Sequence, residues 1–162
     1  MTEIDTQDGA VESQDSRGLT VYGVEAIHPE RVAEVWPTAE PILRVACERM
    51  GLCSTGDLLR QLERSHAQLW HVRGAWAVTV IVPFERRRIA SLELIAGPLD
   101  ASRVAEMLEA FDVWARAYQA DELRVTSLRG FEACLPGWEA TTVWTRAINH
   151  HAAPVRETKT IH

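Results

Sequence analysis

The sequence predicts an α/β (α+β) domain: a mixed, largely antiparallel sheet with a central parallel strand pair and packed helices. Three observations carry this. Two apolar runs, Ala75 to Val82 and Ile89 to Ile95, flank Pro83 and a charged turn, Glu85-Arg86-Arg87-Arg88. After Gly97-Pro98, the residues Val104, Met107, Leu108, Phe111, Trp114, Ala115 and Tyr118 recur at three- and four-residue steps, the stripe of a helix packed on one side. Leu123 to Leu128 then reads as a further strand. A strand reached from its predecessor through a crossover helix lies parallel to it.

The remaining elements follow in chain order. Residues 1–18 are acidic and almost free of large apolar groups, so burial cannot offset the entropy of ordering them, and they read as a tail. Leu19 to Ile27 alternates apolar residues as one strand, broken by His28-Pro29. From Val32 to Met50 the pattern is helical, but Pro37 and Pro41 disfavour the helical region before them. The regular helix is therefore expected to start near Thr38, with Pro41 in its first turn. Its buried side is Ile42, Leu43, Val45, Ala46 and Met50, and Gly51 ends it.

Ser54 stands three residues before Asp57, a capping-box-like start for a short helix with Leu58, Leu59 and Leu62 on its face. Gln68 to Val72 is a strand joined to the Ala75 run by Arg73-Gly74, a two-residue link that favours a tight hairpin. The striped helix runs from about Ala101 to Tyr118 and is followed by a loop at Gln119-Ala120-Asp121. Arg129 to Leu135 is long enough for about two helical turns, and Trp138 to Ile148 reads as the last strand. Residues 149–162 form a polar tail, leaving one domain over 19–148.

At 162 residues the chain can bury a sizeable core. Its net charge of −6 and pI near 5.5 disfavour direct nucleic-acid binding and anionic membranes. No apolar run approaches the roughly 18 residues that span a bilayer. The acidic start is unlike a secretory signal, and Cys47, Cys53 and Cys134 lack paired spacing, so a reducing, cytoplasmic setting without disulfides is expected. Cys47 and Cys53 read as core fillers, and Cys134 has no base beside it in sequence. His66 and His71, five apart, are poor metal ligands, and no metal site is expected. The three consecutive arginines read as a solvated hairpin tip.

Val35-Trp36-Pro37 with Pro41, Leu69-Trp70, Val78-Thr79, Gly97, Trp114-Ala115-Arg116, and Arg129-Gly130-Phe131 followed by Gly137-Trp138 stand along the chain in this order and spacing. Together with the order of elements they resemble the GNAT (GCN5-related N-acetyltransferase) superfamily, and more narrowly the small GNAT-like proteins of tailed phages and prophages. The resemblance covers about residues 19–148. It implies acetyl-CoA as cofactor, held where two parallel strands splay apart, with its pyrophosphate on a glycine-rich loop at a helix N-terminus. By that resemblance the cofactor contacts fall on Leu94, Ile95, Gly97, Ser102 and Arg103, and the general base on Glu93.

The matched residues depart from the family pattern. The loop Ala96 to Arg103 holds one glycine, Pro98 lacks an N–H, and Asp100 is the expected N-cap, a carboxylate where a phosphate would sit. The position of the family's tyrosine acid is Ala133, and the asparagine often found on the short helix is missing. The expected function is a phage-type GNAT-fold protein with a degenerate acetyltransferase site and no cofactor, a binding or virion-associated module. The alternative is an active acetyl-CoA-dependent N-acyltransferase with an atypical loop. The expected partner is a protein, either a phage structural protein or a second copy, met in the host cytoplasm or the virion. The oppositely charged tails offer it a docking surface.

Overall fold

Arg73 and Gly74 both take positive φ, 44° and 82°, and turn the chain back on itself in two residues. This turn joins the strands expected on either side of it, and the sheet grows outward from them. In the computed structural model, the residues described are 20–21, 23–51, 53–125, 135 and 137–138. The elements are β1 (Thr20–Val21), β2 (Val24–Ile27), α1 (Val32–Met50), α2 (Thr55–Glu63), β3 (Gln68–Val72), β4 (Ala75–Pro83), β5 (Arg88–Ala96), α3 (Ala101–Ala117) and β6 (Glu122–Val125). A single 3-10 turn, Pro29–Arg31, leads into α1.

The strands line up in sequence order, β1 to β6, antiparallel throughout except for the last pair. β5 and β6 are parallel, with Ile89 opposite Glu122 and Leu92 opposite Val125. The crossover between them is α3, as the apolar stripe requires. Arg88 anchors the return: its N–H donates to the Asp121 carboxylate at 2.8 Å and its guanidinium to the Tyr118 carbonyl at 3.0 Å. Arg87 pairs with Glu122 at 3.2 Å, so two of the three tip arginines tie the hairpin to the α3–β6 connection.

Both faces of the sheet are covered, which explains why its strands read as near-continuous apolar runs. On one face α3 lays Val104, Met107, Phe111, Trp114 and their neighbours against Val24, Trp70, Val72, Ala77, Ala90 and Leu92. On the other, α1 and α2 cover Ile27, Leu69, Trp76, Val78 and Leu94. Trp70 is at the centre of the first face, edge-on to Phe111 (centroids 5.1 Å) and Trp114 (5.8 Å). Its indole N–H donates to the buried Thr79 hydroxyl at 2.8 Å, satisfying both polar groups.

Three expectations are corrected. The Leu19–Ile27 segment is not one strand: Val21 pairs with Val24, so β1 and β2 form a hairpin with Gly23 at φ 79° in its turn. α1 begins at Val32, not near Thr38, and contains both prolines. Pro37 and Pro41 are four apart and exposed, so the carbonyls they leave unbonded, on Ala33 and Pro37, also belong to exposed residues. A carbonyl on the exposed side of a helix is open to solvent, and the helix continues through both prolines. Val45, assigned to the buried side, is 54% exposed.

α2 starts as its capping motif predicts. The Ser54 hydroxyl accepts from Asp57 N–H at 3.1 Å and donates to its carboxylate at 2.8 Å. Glu40 on α1 takes bonds from Arg44 and, at 3.1 Å, from the Thr55 hydroxyl, joining the two helices. The Arg44 guanidinium holds the Glu40 carboxyl below its usual range, with Thr55 adding to the effect.

The tails at 1–18 and 149–162, the helix from Arg129, the strand from Trp138 and the end of the Leu123–Leu128 strand lie outside the described residues, as do Ala133 and Cys134. Of that stretch, Trp138 N–H closes a turn onto the Leu135 carbonyl at 3.2 Å, across Gly137 at φ 79°.

Candidate functional site

The site expected from the sequence lies along the C-terminal half of β5 and the first turn of α3. The strand is irregular there. Val78 pairs with Leu94 and Thr79 with Leu92, leaving Glu93 as the extra residue of a β-bulge. The bulge reverses the alternation of β5, so Leu92 packs under α3 while Leu94 packs under α1 and α2. Regular alternation would put Leu92 and Leu94 on one face and Glu93 on the other; the extra residue is what separates them. Glu93 is half-buried and makes no side-chain hydrogen bond or ion pair among the described residues.

The parallel pairing between β5 and β6 runs from Ile89 opposite Glu122 to Leu92 opposite Val125, and Val125 is the last described residue of β6. Beyond Leu92 on β5, Leu94 is buried, and Ile95 is half-buried toward α3. Any contact from these two to a cofactor would therefore run through their backbone. Three strand residues, Leu94 to Ala96, and the loop Gly97 to Asp100 separate Glu93 from the first residue of α3. Among the described residues no hydrogen bond or ion pair joins the Glu93 side chain to the α3 N-terminus.

Gly97 has a structural reason to be glycine. Its φ is +103°, and a Cβ there would meet the Gly74 carbonyl oxygen at 2.8 Å and Ala75 Cα at 3.0 Å. The β3–β4 turn thus packs directly against this loop, and Arg73 adds an ion pair to Glu106 of α3 at 2.7 Å. Only Gly97 to Asp100 separate β5 from α3.

Asp100 caps α3 as expected. Its carboxylate accepts from Arg103 N–H at 2.8 Å and pairs with the Arg103 guanidinium at 2.8 Å. Arg103 is thereby turned back on its own helix, although its buried Nε finds no acceptor among the described residues. Ser102 is exposed, 3.4 Å from the Glu106 carboxylate. Asp100→Ala is expected to lower stability by about 1 kcal/mol, the usual value of such a cap, read as a fall of a few degrees in the thermal midpoint.

Two features were not visible in the sequence. A cleft of about 320 Å³ is lined by Cys53, Asp57, Arg60, Gln61, Arg64 and His66. It lies on α2, across the sheet from α3, and is no part of the β5 site. Beside it the Cys53 and Cys47 sulfurs are 3.2 Å apart. A six-residue spacing that crosses a helix end gives no periodic signal for that contact. His71 accepts from Gly74 N–H at 3.1 Å and stacks on Trp76 at 4.4 Å, a structural role. Among the described residues no three His, Cys, Asp or Glu side chains cluster to hold a metal, and no helix is long and apolar enough to cross a membrane.

No protein-family model matches the chain, and no curated protein matches it in sequence. Solved structures match it in fold. An aminoglycoside acetyltransferase from an uncultured soil metagenomic sample, in complex with trehalose, superposes with TM-score 0.56 at 10% identity, over 78% of this chain and 95% of its own. A predicted acetyltransferase from Clostridium acetobutylicum, solved with acetyl-CoA, gives 0.54 at 12% identity, over 79% and 98%. A ribosomal-protein-alanine N-acetyltransferase from Brucella melitensis biovar Abortus 2308 gives 0.51 at 12%, over 80% and 98%. These superpositions give this chain the fold of the GNAT acetyltransferases.

Proposed function

We propose that this chain is a GNAT-fold binding module with a degenerate acetyl-transfer site. The observation that carries the reading is the Asp100 carboxylate on the α3 N-terminus. A helix end attracts an anion through free N–H groups and its positive dipole. Here a resident carboxylate already accepts from Arg103 N–H and neutralises the guanidinium beside it. A pyrophosphate arriving at that end would meet a like charge and one fewer free donor.

Calorimetry with acetyl-CoA is the direct test. Binding no tighter than about 100 μM, or roughly −5.5 kcal/mol, is expected. Asp100→Gly should bind more tightly than the parent, because it removes the charge and frees the N–H. Micromolar binding by the parent protein would overturn the degenerate reading.

The second reading, an active N-acyltransferase with an atypical loop, is favoured by Glu93. A half-buried carboxylate on a bulge, without an ion-pair partner among the described residues, has the chemistry of a base that accepts a proton from an amine. Under that reading Glu93→Gln abolishes acetyl transfer while acetyl-CoA binding survives.

The proposed partner is a protein, a phage structural component or a second copy. This rests on the resemblance to small phage and prophage proteins. Head, portal or terminase genes beside this one support a virion-associated role; a neighbourhood of metabolic genes counts against it.

A further inference from the structure

From the paired thiols and the cleft beside them, we infer that Cys47 and Cys53 form a redox-active dithiol, oxidised to a disulfide by a carboxylate-bearing low-molecular-weight disulfide. This is independent of whether acetyl-CoA binds, because the pair lies on the α1/α2 side of the sheet. The two sulfurs are already in contact at 3.2 Å. A bond needs about 2.05 Å, so roughly 1 Å of approach is required, within reach of small side-chain rotations.

The two cysteines are not equivalent, and this sets the order of events. Cys53 is half-buried and lines the open cleft, so it meets the reagent first. Cys47 is 2% exposed in the last turn of α1. Burial pushes its thiol up to about 12, with the neighbouring Cys53 adding to the effect. Cys47 therefore waits as the resolving thiol.

The cleft suits an anionic reagent. Arg60, Arg64 and His66 line it, with Asp57 as its one carboxylate among the described residues. Arg60 is ion-paired with Asp57, whereas Arg64 has no ion pair among the described residues and is free to meet a carboxylate.

The chemistry balances without a further oxidant. The Cys53 thiolate attacks one sulfur of the reagent, whose S–S bond breaks and releases one thiolate. Cys47 then loses its proton to water and attacks the Cys53 sulfur, expelling the second thiolate. Two protein thiols are oxidised to one disulfide, and one reagent disulfide is reduced to two thiols.

The full-length reduced protein treated with oxidised glutathione, then alkylated and digested with trypsin, tests this. The expected product joins the peptides 45–49 and 50–60 through Cys47 and Cys53. Cys47→Ser should stop at a mixed disulfide with one glutathionyl group on Cys53. Cys53→Ser should leave Cys47 reduced over the time in which the parent is fully converted. Cys47→Ala repeats the first arm should the serine variant fold poorly. Separate glutathionyl groups on both cysteines, two cysteines that stay reduced while a reference thiol reacts, or a Cys47 that reacts as fast without Cys53, each overturn the dithiol. Hydroxyethyl disulfide, which is uncharged, should react several-fold more slowly at low salt, with the gap closing as salt rises. Equal rates overturn the anionic class of reagent.

Discussion

Trp70→Ala is expected to remove about 3–5 kcal/mol of folding stability, lowering the thermal midpoint by about 10 °C or more. Trp70 is fully buried under α3 and makes two edge-on aromatic contacts, to Phe111 and Trp114. Truncation opens a cavity between sheet and helix. It also strands the Thr79 hydroxyl, which is 0% exposed and has the indole N–H as its donor. Trp70→Phe separates these effects. It keeps a ring against Phe111 and Trp114 but leaves Thr79 without its donor, at a cost of about 1–3 kcal/mol. A denaturant melt showing less than about 1 kcal/mol lost by the alanine variant would contradict a core centred here.

Gly97→Val is expected to cost about 3 kcal/mol or more, and Gly97→Ala about 2–4 kcal/mol, from strained backbone and overpacking together. The obstacle is backbone rather than a side chain that could swing aside: the Gly74 carbonyl oxygen is 2.8 Å from the position of the new Cβ. The β3–β4 turn would have to move, dragging Arg73 away from Glu106. This outcome discriminates between roles for the loop. A glycine kept only to admit a pyrophosphate would tolerate alanine with an unchanged melting temperature and lose acetyl-CoA binding alone. A glycine kept for the turn loses stability whether or not cofactor is present.

Much of the fold was legible because it depends on local signals. Arg73-Gly74 between apolar runs specifies a hairpin through backbone twist alone. Ser54 and Asp57 specify a helix start through hydrogen bonds within one turn. The stripe from Val104 to Ala115 specifies a packed helix, and a crossover through that helix makes β5 and β6 parallel. The Asp100 cap was readable for the same reason, since its partner Arg103 is three residues away. Prolines misled the reading of α1 because their cost depends on whether the freed carbonyls meet water. That is a property of the surface and not of the sequence pattern.

The features that bear on chemistry mostly belong to the other class. A bulge at Glu93 follows from how β4 and β5 pair, and nothing in Leu92-Glu93-Leu94 distinguishes it from regular alternation. Gly97 reads equally as a phosphate loop or a tight turn until the β3–β4 hairpin is packed against it. Cys47 and Cys53 become a pair only because Gly51, at φ 65°, ends α1 and the chain turns into α2. The sequence by itself determined the elements from α2 to α3, their order and the capping carboxylate, since each rests on neighbours a few residues apart. Only the tertiary structure decided which groups meet, because contacts between residues distant along the chain exist only once the helices have closed on the sheet.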